Sequence, residues 1–249
     1  MRLRPIAPPA ALAALLALGA CSRAPGPAIA DTASSHKQVL AYLLQHPDVI
    51  QEAADQYEAQ RQAQAMAISS KAIAQRRAAI EHDPRDFVAN PDGKVTVVEF
   101  FDYRCPYCKA ALPTLQSLIR DNRDVRFVFK EFPILPDDNG QIGVSLRAAR
   151  AALAAERQGK YLQVHDAMMG ARPLDDAGIA KALKDNGLTP AAVKDADGDG
   201  KHLNDVRDLA VAIGAAGTPT FVVGDRMIEG NRMDQLSAAI AEARRSAKG

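Results

Sequence analysis

One stretch constrains this chain more than any other: a run of β-branched and aromatic residues that leads straight into two cysteines, Val95-Thr96-Val97-Val98-Glu99-Phe100-Phe101-Asp102-Tyr103-Arg104-Cys105-Pro106-Tyr107-Cys108. Six of the seven residues 95–101 are of this kind and predict a strand covered on both faces, and the Ala- and Leu-bearing run 109–119 predicts a helix. Cys105 then falls at a helix N-terminus with Cys108 one turn later, a spacing that lets the two sulfurs meet. An ordinary thiol titrates near about 8.5, whereas cysteines at such sites reach roughly 3.5–7.5. Lowering the value by about two units requires nearly 3 kcal/mol in favour of the anion. The helix macrodipole supplies only about 0.3–1 kcal/mol. Backbone N–H groups must therefore donate hydrogen bonds to the sulfur as well. Pro106 suits an early helical position, where its missing N–H is not needed.

A second motif lies far downstream, Gly217-Thr218-Pro219-Thr220-Phe221. Together with Glu-Phe-Phe-Asp-Tyr-Arg-Cys-Pro-Tyr-Cys at 99–108 it resembles the DsbA-like branch of the thioredoxin superfamily, over a span from Val95 to the C-terminus. The resemblance implies an α/β, thioredoxin-like fold with a helical insertion. It also implies an exported protein thiol-disulfide oxidoreductase or isomerase whose substrates are proteins with cysteines. In that pattern a solvent-facing Cys105 exchanges with the substrate and Cys108 resolves the mixed disulfide. Pro219 follows a cis bond, Thr218 and Pro219 hold the substrate backbone, and Pro106 and Tyr107 border it. Glu99 matches the buried acid placed to give or take the proton of Cys108. Tyr107 replaces the histidine common between the cysteines of the strong oxidants, so a less oxidising couple is expected, between about −120 and −270 mV.

Residues read without the resemblance leave Glu99 open to a second account. A carboxylate inside an apolar strand costs several kcal/mol unless it is paired or protonated. An ion pair with Lys130 on the neighbouring strand would meet that cost, and the two accounts are compatible.

The chain begins with Arg2 and Arg4 ahead of a short apolar run, 10–20, too short to span a bilayer comfortably and read as a secretory signal, 1–20. Leu18-Gly19-Ala20-Cys21 resembles a bacterial lipobox, which implies lipidation of Cys21 and a lipid anchor in the periplasm or cell envelope. The alternative is cleavage after Ala28-Ile29-Ala30 and a soluble periplasmic protein. Either route removes Cys21 as a free thiol and leaves one pair from the three cysteines, as an oxidising compartment favours.

Residues 21–35 read as a flexible tether, and 36–82, rich in Ala, Gln, Glu and Arg without glycine, as an N-terminal α-helical arm broken at His46-Pro47. Ala59, Met66, Ile73 and Ile80 recur every seven residues, but the seam between them is thin. Such a helix must find either its own catalytic domain or another subunit. Tyr42-Leu43-Leu44-Gln45-His46-Pro47-Asp48-Val49-Ile50 resembles the N-terminal region of the suppressor-of-copper-sensitivity protein C group, whose arms associate three chains, so a homotrimer through the arm is implied. The alternative is a solvated spacer.

A Pro- and Gly-bearing linker, 83–94, precedes the domain 95–247. Within the domain, 125–130 predicts a second strand parallel to the first by the right-handed crossover rule. Helical runs at 142–158, 161–169, 175–186, 190–195 and 203–213 form an insertion of about 138–215. Residues 221–229 predict an antiparallel hairpin across Gly224-Asp225, and 234–247 a closing amphipathic helix.

Other constellations point elsewhere. Asp195-Ala196-Asp197-Gly198-Asp199-Gly200 begins like a calcium loop, but Val206 stands where a bidentate carboxylate is required. Zinc wants four ligands, and no second cysteine or histidine pair accompanies Cys105 and Cys108. Covalent haem wants His where Lys109 stands. His165 and the other four histidines read as surface or helix-packing residues. No metal or cofactor is expected. The balance of 31 basic and 30 acidic residues gives no case for nucleic acid. A membrane or periplasmic redox partner would recharge the pair. Two rival classes remain: a Cu(I)-handling envelope protein using the same thiols, and an interaction protein whose cysteine pair is only structural.

Overall fold

The computed structural model describes residues 32–189 and 198–247. The lipobox cysteine Cys21, the 190–195 helix and the first half of the calcium-like loop lie outside them. The chain divides into two compact units, Met1–Gln56 and Tyr57–Gly249. Helix α1 (Thr32–Gln45) belongs to the first, and α2 runs over Pro47–Gln75. The break falls at His46, and Pro47 opens α2, where its ring is tolerated and no N–H is required. In the first unit Val39, Leu40, Tyr42, Leu44 and Ile50 are exposed.

The second unit is built on β1 (Phe87–Ala89), β2 (Val95–Phe101), β3 (Val125–Glu131), β4 (Thr220–Val223) and β5 (Arg226–Glu229), in the spatial order β1-β3-β2-β4-β5. β2 and β3 are parallel, as the crossover through α4 (Pro106–Asp121) requires. β4 and β5 form the expected hairpin, and β4 pairs antiparallel with β2. The remaining helices are α3 (Arg77–Glu81), α5 (Gly143–Glu156), α6 (Tyr161–Gly170), α7 (Asp176–Asp185), α8 (Asp199–Ile213) and α9 (Met233–Ser246).

Both sheet faces are covered, so β2 and β3 are buried along nearly their whole length, the ionisable Glu99, Lys130 and Glu131 included. On one face Val97, Phe101, Phe127 and Phe129 pack with Leu115 of α4, residues of α5 to α7, and Leu236 and Ile240 of α9. On the other, Val98, Phe100 and Val128 pack with Ile73 of α2, Ile80 of α3, and Val206, Ala210 and Ile213 of α8. The seven-residue seam is thereby split by environment: Ile73 and Ile80 are fully buried on their own sheet, while Met66 is exposed. Ser69 reinforces that packing, its hydroxyl donating to the Ile213 carbonyl at 2.8 Å.

β1, antiparallel to β3, lies inside the stretch read from sequence as a linker. Three residues bounded by Pro84 and Pro91 are too few to show a strand period. Just before it, Asp86 is buried and pairs with Lys130 of β3, whose Nζ also donates to the Ala79 carbonyl at 2.6 Å.

Candidate functional site

β2 ends at Phe101 and the chain turns through Asp102, Tyr103 and Arg104 into α4. Asp102, 1% exposed, fixes the turn. One carboxylate oxygen accepts from the Arg104 N–H at 2.8 Å and the Ser145 hydroxyl at 2.9 Å. The other accepts from the Ile134 and Leu135 N–H groups at 2.8 and 3.0 Å. The turn delivers Cys105 to the N-cap of α4 with extended backbone (φ −67°, ψ 119°), and its sulfur accepts from the Cys108 N–H at 3.5 Å. Pro106 occupies the first turn. Placement at the helix start therefore agrees with the sequence.

Cys105 and Cys108 are free thiols. Hydrogen bonds lower Cys105 to about 6, the Cys108 thiol contributing most, then the Thr218 side chain and the backbone of Cys108 and Tyr107; burial opposes them. Cys108 moves the opposite way, well above an ordinary thiol, because it is desolvated, bonded to Cys105 and close to the Glu99 charge. The two sulfurs are thus chemically unlike.

One expectation is corrected. Cys105 does not face solvent freely: it is 3% exposed, and its thiol donates to the Thr218 carbonyl at 3.1 Å. The cover is thin, since Pro106 and Tyr107 beside it are exposed and Thr218 is half-buried. The Thr218–Pro219 bond is cis, as the resemblance implies, and brings that carbonyl against the sulfur.

Glu99 is buried on the sheet face that carries the cysteines, and its Oε1 finds no hydrogen-bond partner among the described residues. Burial first, and then the Cys105 thiolate, raise its carboxyl to about 8. The suggested ion pair with Lys130 does not form. In the β2–β3 register Glu99 lies opposite Phe129 and Phe100 opposite Lys130, so the carboxylate and the ammonium leave opposite faces of the sheet. Lys130 is taken by Asp86 instead.

Two features escaped sequence reasoning. Lys109, weighed there only as a missing haem ligand, is buried, and its Nζ donates to the carbonyls of Met168, Met169 and Ala171 at 3.0, 3.0 and 2.8 Å. Below the turn, Glu131 Oε1 accepts from the Tyr103 and Tyr161 hydroxyls at 3.0 and 2.8 Å. The Tyr103 oxygen also lies 3.1 Å from Nδ1 of His165, which is 2% exposed and held by burial at about 3. His165 is a helix-packing residue, but deep in the core. No local motif marks either cluster, because each joins groups at least 28 residues apart.

A parallel pair β2–β3 flanked by an antiparallel hairpin, an acidified cysteine at the start of the helix after β2, and a cis-proline against it define a thioredoxin-type thiol-disulfide exchange domain. The DSBA-like thioredoxin domain model matches residues 96–241, and the chain belongs to that family. Among solved structures, a thioredoxin-like oxidoreductase from Silicibacter pomeroyi is 39% identical, with TM-score 0.63 over 68% of this chain and 98% of that one. Proteus mirabilis ScsC in a transitional conformation is 27% identical, with TM-score 0.62 over 86% of this chain and 98% of that one. A curated relative, Na(+)/H(+) antiporter NhaA 3 of Salinispora tropica, is 35% identical over 195 residues, 76% of this chain; the chain spans only 29% of that protein's length.

Proposed function

We propose that this chain is an exported thiol-disulfide oxidoreductase or isomerase that acts on cysteines of envelope proteins through the Cys105-Pro106-Tyr107-Cys108 pair. One observation carries the reading: two neighbouring free thiols are driven apart in acidity, Cys105 down to about 6 and Cys108 up.

In the oxidising direction a substrate thiolate attacks the Cys105 sulfur of the disulfide. The S–S bond breaks and its electron pair goes to Cys108, which takes a proton from Glu99. A second substrate thiolate then attacks the substrate sulfur of the mixed disulfide and releases Cys105 as a thiolate, a good leaving group because of its acidity. Two electrons have passed from substrate to protein, and a membrane or periplasmic redox partner removes them. In shuffling, the Cys105 thiolate opens a wrong disulfide, and a different substrate thiolate then attacks the substrate sulfur of the adduct, forming the new disulfide and returning Cys105 as a thiolate with no net electron transfer; where Cys108 resolves the adduct instead, the substrate leaves as a dithiol and the pair is oxidised. Thr218 and Pro219 hold the substrate backbone by strand addition. Pro106 and the exposed Tyr107 present the surface beside the sulfur. The Thr218 carbonyl must exchange its Cys105 contact for the substrate as the sulfur is uncovered.

Anchoring through a lipid on Cys21, or release by cleavage after Ala30, belongs to the same proposal. So does association of three chains through the arm, which the exposed Val39, Leu40, Tyr42 and Leu44 support. Insulin reduction and refolding of scrambled ribonuclease test the chemistry. Activity that disappears in Cys105→Ser supports it. Tight stoichiometric Cu(I) binding without either activity would replace it with a metal-handling role.

A further inference from the structure

We propose that Thr220 is a positioning residue for the substrate: its buried hydroxyl holds the Gly217 carbonyl inward and so turns the N–H of Thr218 out as a ready donor to an added substrate strand. The inference rests on the reading of Thr218 as the residue whose backbone pairs with substrate.

Thr220 opens β4, fixed between Phe100 of β2 and Glu229 of β5. It is fully buried, and its Oγ1 donates to the Gly217 carbonyl at 2.7 Å. Three successive carbonyls therefore each have a donor. Gly217 takes the Thr220 hydroxyl, Thr218 the Cys105 thiol at 3.1 Å, and Pro219 the Gly230 N–H at 2.8 Å. The first and third are held by residues of the hairpin and its end, the second by the sulfur that reacts. A substrate can thus take the Thr218 carbonyl without loosening the other two.

The Gly217–Thr218 peptide is trans, so its N–H points opposite to its C=O. With that carbonyl drawn to a buried hydroxyl, the N–H faces away from the core, and among the described residues no backbone carbonyl accepts it. Packing does not impose this orientation: a Cβ added at Gly217 would meet nothing within 4 Å. Glycine also leaves the backbone on that side of the peptide unusually free. What stops the peptide from turning over is the Thr220 hydroxyl. Holding the donor ready removes an ordering cost that the substrate would otherwise meet on binding.

Thr220→Val keeps the β-branched shape and removes the hydroxyl, whereas Thr220→Ser keeps the hydroxyl. With a disulfide-bearing peptide as substrate, Thr220→Val should raise KM roughly three- to tenfold, the weight of about one hydrogen bond. Its kcat, and the rate at which iodoacetamide alkylates Cys105, should stay within about twofold of the parent, as loss of uniform binding requires. Thr220→Ser should return KM to the parent value. An unchanged KM in Thr220→Val would overturn the inference. A KM that serine does not restore, or an equal fall in alkylation, would do so as well, since either marks a general packing role. Should neither variant fold, amide hydrogen exchange decides. With a cysteine peptide trapped on Cys105 in Cys108→Ser, the Thr218 amide should exchange at least about tenfold more slowly than in the free protein; an unprotected amide refutes the inference. Protection of Thr218 beside an unchanged KM leaves strand addition intact and removes only the role of Thr220. A parent protein without insulin or ribonuclease activity would sink the proposed function instead.

Discussion

Glu99 and Cys105 have opposite pH signatures. Folding raises the Glu99 carboxyl from an ordinary value near about 4.3 to about 8, so the folded state holds its proton longer than the unfolded chain. Its cost is absent below pH of about 4, grows as pH rises, and is complete near pH 8. Glu99→Gln should therefore leave stability at pH 4 nearly unchanged and raise it at pH 8 by roughly 3–5 kcal/mol, measured by denaturant unfolding. Equal effects at both values would mean that Glu99 is not desolvated. Cys105 runs the other way in the reduced protein. Its folded value of about 6 lies below that of an ordinary thiol. The stabilisation it gives is complete above pH of about 8.5 and lost as pH falls through 6. The excess stability of the reduced over the oxidised form should shrink accordingly between pH 8 and pH 5. Because the Cys105 thiolate is one cause of the high Glu99 value, Cys105→Ser should lower the Glu99 midpoint, which carboxylate infrared titration would report.

Among the elements, β2 and β3 hold the site in register, and the polar interactions behind them decide what each strand position can tolerate. Lys130 and Asp86 form a pair with both side chains fully buried, and His202 Nε2 of α8 lies 3.2 Å from the same carboxylate. Breaking such a pair strands a charge, so Lys130→Met alone should cost about 3–5 kcal/mol, while Lys130→Met with Asp86→Leu should cost much less. Additive losses would show that the pair is not coupled. The strands, the crossover helix and the hairpin were legible in the sequence because their apolar runs and turn residues are local. The CxxC placement at the start of α4 was legible for the same reason. β1 was not, because three residues carry no period. The partner of Lys130 was not either: Asp86 is 44 positions away, and only the one-residue offset between Glu99 and Lys130 in the β2–β3 register excludes the simpler pairing. Thin cover over Cys105 also depends on a long-range contact, with Thr218 113 positions on.

At the scale of the whole molecule, the two units have unlike surfaces. The second buries a continuous core on both sides of its sheet, whereas the first leaves Val39, Leu40, Tyr42, Leu44 and Ile50 in water. Isolated helices with so few internal contacts gain their stability from a partner surface. Light scattering on the full-length chain should give the mass of three copies, and Leu40→Glu with Leu44→Glu should return it to one; a monomer that is insensitive to both would remove the oligomeric arm from the account. None of this alters the chemistry of the site, which stands or falls on the relative stability of the thiol and disulfide forms. The decisive measurement is the reduction potential of the Cys105–Cys108 pair in the intact protein, read against glutathione buffers at pH 7. An acidified Cys105 stabilises the reduced state and places the couple between about −120 and −270 mV. A value below about −300 mV, the range of inert structural disulfides, would contradict a redox-exchanging role.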